Sequence, residues 1–191
     1  MSARLVQRGL HLEYATLGWN VIGSLIVLQA AVSARSVALA GFGIDSLIEI
    51  FASLVVVWQL KGTHQERERP ALRLIGLAFI ALAIYVSVQA LRTLLTQAAP
   101  DTSIVGIVWL TATFIAMLLL AWGKHRTGTQ LNNPVLLTEG RVTLVDAYLA
   151  GAVLVGLVLN ALLGWWWADP LASLVIVYYG AKEGLHALRE G

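Results

Sequence analysis

Val37-Ala-Leu-Ala-Gly-Phe-Gly-Ile-Asp45-Ser-Leu-Ile-Glu49-Ile-Phe-Ala-Ser-Leu-Val-Val-Val-Trp-Gln-Leu60 is apolar over its whole length except for two carboxylic acids and a few small polar groups. At about 1.5 Å per residue it makes a helix of roughly 36 Å, long enough for a hydrocarbon layer of about 30 Å. Asp45 and Glu49 are four residues apart and share one helix face. An ionised carboxylate in hydrocarbon costs about 2.5–3.5 kcal/mol on insertion scales and more in simulations. That face must therefore look at a partner, at water or at an ion.

Working outward, five more stretches have the same character, at approximately 12–33, 71–96, 104–123, 138–164 and 168–188. The chain of 191 residues is 58% hydrophobic and only 13% charged, with a mean hydropathy of +0.76. A soluble domain of this size cannot hide so much apolar surface. The composition predicts an all-α integral membrane protein, one domain of six transmembrane helices in the cell membrane, with the lipid bilayer as its solvent. No soluble domain is expected at either end. Met1–Leu12 is short, polar and basic, and leads straight into a full-length span rather than a cleavable signal. There is no cysteine, so neither disulfides nor thiolate ligands are available.

The breaks between spans have local causes. Ser33-Ala34-Arg35-Ser36 predicts a tight hairpin between spans one and two. Lys61–Pro70 is the most charged segment, and Ala99–Ser103 has turn chemistry with an N-cap for span four. Lys124–Pro134 is polar and reads as a loop. Gly164–Pro170 is a short aromatic turn, with Asp169-Pro170 suited to a helix start. An N-inside topology puts eleven Lys and Arg side chains inside and only Arg35 and Arg92 outside. Both termini are therefore expected in the cytoplasm. Trp165, Trp166 and Trp167 then lie at the outer interface, as a membrane belt rather than a ligand box.

Asp146 falls well inside span five. Glu139 lies seven residues earlier on the same face, nearer the cytoplasmic end, and Glu13 lies near the start of span one. If spans two and five bring their acidic faces together, three or four carboxylates form an all-oxygen pocket. Such like charges need protons or a cation to neutralise them. Competition between the two for one site would couple their movements. The structural alternative is that each acid pairs with a base, but no Lys or Arg is expected in the middle of any span. That alternative has more force for Glu139, which is close to Arg141 and the interface, and for Glu13.

At these residues the sequence resembles the membrane domain of the cation diffusion facilitator family. The carrying segments are Ser36–Glu49 with Ala52-Ser53-Leu54, and Asp146 through Ala168-Asp169-Pro170-Leu-Ala-Ser173-Leu. The resemblance implies a six-helix bundle, usually homodimeric, that exports a divalent transition metal in exchange for protons by alternating access. It implies metal ligands at Asp45, Glu49 and Asp146. The family's helix-five histidine falls at Val142, which cannot bind metal, and Glu139 one turn earlier is a substitute. Zn²⁺ ranks first by resemblance. Cd²⁺, Co²⁺, Mn²⁺ and Fe²⁺ are further candidates, because carboxylates without imidazole also accept harder ions. The family's cytoplasmic C-terminal domain is not seen, so a small, tailless branch is expected.

Other features carry less. His64 with Glu66 and Glu68 reads as a solvated charge run before it reads as an accessory metal site. His11, His125 and His186 are scattered at helix ends. No Walker A pattern, nucleotide loop or nucleophile elbow is present. The chain is thus not read as an enzyme, and no resident cofactor or nucleic-acid partner is expected. The rival readings are a non-transporting membrane scaffold and a proton-coupled exporter of small organic cations.

Overall fold

The computed structural model describes residues 3–34, 37–62, 64–97, 101 and 103–190. They form six helices: α1 (Ala3–Ala34), α2 (Val37–Leu60), α3 (His64–Thr96), α4 (Ile104–Leu131), α5 (Pro134–Leu163) and α6 (Ala168–Glu190). Five of them, α1 to α5, are long and apolar enough to cross a membrane. Leu25, Val32, Leu95 and Leu162 are all more than two-thirds exposed, along with many other large apolar side chains. So much exposed hydrocarbon suits lipid and not water. The protein is a multi-pass helical membrane bundle.

The helices pack mainly as the pairs α1·α2, α4·α5 and α3·α6. α2 also lies against α3 and α5, and α1 lies against α4. Among α1 to α5, the apolar stretches of α2 and α5 are the most buried. The two spans that carry the acids are therefore the inner ones. α3 and α6 approach closely at glycine: a Cβ on Gly76 would lie 3.0 Å from the Gly184 carbonyl oxygen.

Several helices overrun their expected spans. α1 and α3 begin earlier in sequence, at Ala3 and His64, and at about 1.5 Å per residue each is longer than a hydrocarbon layer of about 30 Å. The largest difference lies between spans four and five. Lys124–Pro134 is not a loop: α4 continues to Leu131 and α5 starts at Pro134. Lys124, Thr127, Gly128 and Leu131 recur at helical spacing and are buried, so the polarity of this segment faces the bundle rather than water. Thr127 returns its hydroxyl to the Gly123 carbonyl. The turn shrinks to Asn132 and Asn133. Asn132 ends α4 in the left-handed region at φ 48°, and the Asn133 side chain caps α5 by accepting from the Leu136 N–H at 3.0 Å, with Pro134 in the first turn. Ser103 caps α4 as its position suggested, accepting from the Gly106 N–H at 3.1 Å. The expected hairpin turn at Arg35 and Ser36 lies outside the described residues. Trp165 and Trp167 stack with their centroids 5.3 Å apart, both partly exposed after the Gly164 cap.

Candidate metal centre

A polar column runs through the middle of the bundle. α2 contributes Asp45, Ser46, Glu49 and Ser53, all at most 2% exposed. Their spacing at positions 45, 46, 49 and 53 keeps them on one helix face. α5 contributes Glu139, Thr143 and Asp146, equally buried. α1 adds Glu13, Thr16 and Asn20, and α4 adds Lys124.

Lys124 corrects the sequence reading. It does not lie in a solvated loop but is fully buried, because α4 runs on past it. Its Nζ lies 3.2 Å from Glu13 Oε2 and donates to Glu139 Oε1 and, at 2.9 Å, to Thr143 Oγ1. A base within the bundle is therefore available to the acids after all. Glu139 takes it, while the neighbouring Arg141 turns away to Glu183 on α6 at 3.1 Å. Ser53 Oγ also donates to Glu139 Oε1, at 3.1 Å. The Thr143 hydroxyl donates to Glu49 Oε1 at 2.6 Å and lies 3.3 Å from Glu139 Oε1. A chain of contacts thus runs from Glu13 through Lys124, Glu139 and Thr143 to Glu49.

Asp45 on α2 and Asp146 on α5 form a second group, near enough for each carboxyl to act on the other. Two ionised carboxylates have no donor to offer each other. Both oxygens of Asp146, Oδ2 of Asp45 and Oε2 of Glu49 lack a hydrogen-bond partner. Such buried acceptors are costly unless a proton or a cation meets them. Among the described residues, no three acidic or histidine side chains gather around one point closely enough to hold a metal ion as they stand. The structure therefore brings Asp45 and Asp146 near each other, ties Glu49 to α5 through Thr143, and pairs Glu139 with Lys124. Val142 is buried hydrocarbon, 2% exposed, where the resemblance placed a histidine.

Sequence reasoning missed Lys124 and Thr143. The signal for Lys124 was the Asn132-Asn133-Pro134 stop and start, which marks the true turn and leaves Lys124 inside a helix. The signal for the α1 side of the column was Glu13, Thr16 and Asn20, spaced by three and four residues as one buried stripe. The side chains of His64 and Glu66, weighed as an accessory site, lie outside the described residues. His11, His125 and His186 are exposed.

Residues 72–191, from within α3 onward, match the cation efflux transmembrane domain. An uncharacterized transporter of Synechocystis is 26% identical over 203 residues, covering all of this chain and 64% of that protein. A cadmium, cobalt and zinc/H⁺–K⁺ antiporter of Bacillus subtilis is 31% identical over 133 residues, which is 61% of this chain and 39% of that protein. Its counterpart from Bacillus velezensis is 28% identical over 128 residues, with the same two coverages. The chain thus spans less than two-thirds of the length of these relatives. The family match includes Glu139, Thr143 and Asp146, while the α2 acids precede it and fall within the full-length likeness to the Synechocystis protein. With more than half of its length matched, and with its helices and buried acids arranged as described, the chain belongs to the cation efflux family of membrane transporters.

Proposed function

We propose that this chain exports divalent transition-metal cations, Zn²⁺ first, in exchange for protons, with Asp45, Glu49 and Asp146 as the ion's ligands. The observation that carries this reading is the charge imbalance in the bundle. Among the described residues, five carboxyl side chains and one ammonium are buried. Lys124 can offset only one of those acids, so the others need protons or a cation. The Bacillus relatives supply the class of cargo, being cadmium, cobalt and zinc antiporters that exchange with H⁺ and K⁺.

In this reading the metal arrives from the cytoplasm and displaces the protons held by Asp45 and Asp146. Glu49 then turns its unpartnered Oε2 towards the ion and draws α2 onto α5. Protonation of the same oxygens from the other face releases the metal, and the alternation is the coupling. Both termini lie in the cytoplasm, following the Lys and Arg bias, and the working unit is a homodimer, as the family resemblance implies. Glu139 stays outside the ligand set because Lys124 holds it.

The test is Zn²⁺ uptake into proteoliposomes under an imposed pH gradient. Wild type should give a flux that collapses with the gradient. Asp45→Asn and Asp146→Asn should each lose flux and Zn²⁺ binding while remaining monodisperse. Unchanged flux in both variants would exclude this site.

A further inference from the structure

We infer that Lys124 is a specificity-determining residue: a tethered internal cation that keeps Glu139 out of the ion's ligand set and so restricts the metal to three carboxylates. The inference rests on the ligand assignment proposed above and adds a residue to it.

The geometry supplies three observations. First, Lys124 is fully buried and sits among carboxylates from two other helices, Glu13 on α1 and Glu139 on α5. Second, its ammonium also donates to Thr143 Oγ1, so that hydroxyl points its own proton at Glu49. The lysine thereby orients Glu49 through Thr143, leaving Glu49 Oε2 as the free oxygen. Third, one hydroxyl touches both Glu49 and Glu139. Glu139 is therefore next to the proposed site, and Oε2 of Glu139 has no hydrogen-bond partner. What holds Glu139 back is its bond to the ammonium and to Ser53.

The consequence for selectivity follows from coordination chemistry. Zn²⁺ is content with four ligands, whereas Mn²⁺ and Mg²⁺ favour six oxygens. Releasing Glu139 adds up to two carboxylate oxygens and removes a positive charge from the neighbourhood of a divalent cation. Both changes favour the harder ions. Lys124 is thus the residue that narrows an acid-rich bundle to a site suited to Zn²⁺.

The experiment is calorimetric titration of the purified full chain with Zn²⁺ alone and with Mn²⁺ alone. The proteins compared are wild type, Lys124→Met, Lys124→Arg, Glu139→Gln and the double variant Lys124→Met/Glu139→Gln. Lys124→Met should tighten Mn²⁺ relative to Zn²⁺ by at least about tenfold. The double variant should return to the wild-type preference, and Lys124→Arg and Glu139→Gln should keep it. A Mn²⁺ gain that persists in the double variant, or no gain in either, overturns the inference while leaving the metal site intact. If Lys124→Met does not fold, Glu139→Gln decides: a changed preference there means that Glu139 is already a ligand and the inference is wrong, and an unchanged one supports it. Wild-type protein that binds neither metal overturns the ligand assignment itself, and this inference with it.

Discussion

Thr143 on α5 donates its hydroxyl proton to Glu49 on α2 at 2.6 Å, with Lys124 donating to the same hydroxyl from α4. A single side chain thus joins the lysine network to Glu49, one helical turn from Asp45. The hydroxyl has one proton, and Glu49 receives it because the ammonium occupies the acceptor side.

Replacing that hydroxyl should be costly. Thr143→Val keeps the shape but leaves Glu49 Oε1 without its donor and Lys124 without one acceptor. We expect a loss of about 1–3 kcal/mol in stability, by the usual penalty for an orphaned buried group. Thr143→Ser should retain most of it. Thermal unfolding in detergent measures both, and equal stability of the Val and wild-type proteins would show that the bond carries no weight.

Stripping Lys124 of its carboxylates tests the buried pair directly. Glu13→Gln/Glu139→Gln leaves an ammonium in the bundle with only neutral direct partners, and should destabilise by about 3–5 kcal/mol. Adding Lys124→Met to that pair removes the stranded charge and should recover most of the loss. A triple variant as unstable as the double would mean that packing, and not charge, is what those residues supply.

Val142→His restores an imidazole four residues before Asp146, on the same face of α5. It should raise affinity for Zn²⁺ more than for Mn²⁺, since imidazole suits zinc. The larger ring enters a buried apolar position, so about 1–3 kcal/mol of stability should be lost. Titration with the two metals, together with a melting curve, separates these effects. Equal affinity changes for both ions would place residue 142 away from the site.

Metal binding should weaken as the pH falls. Carboxylate ligands bind a cation only when deprotonated, so each proton displaced steepens the decline in apparent affinity. Zn²⁺ titrations across a pH series should therefore show proton release on binding. Asp45→Asn should reduce the number released, and a pH-independent affinity would exclude carboxylate ligation.

The amino-acid sequence by itself determined the bundle and the inward faces. Long apolar stretches have one good solvent, and backbone groups in lipid must be satisfied within a helix. The spacing of Asp45 with Glu49, and of Glu139 with Asp146, fixes which residues share a face, because a helix has a fixed period. What the sequence did not decide is which face meets which, and at what depth. Lys124 reads as the start of a polar loop until α4 is seen to continue beside α1 and α5, where its long stem reaches Glu13 and Glu139. Whether Glu139 serves an ion or a lysine depends on the axial register and rotation of three helices. Those are set by packing between elements distant in sequence, and no local periodicity encodes them.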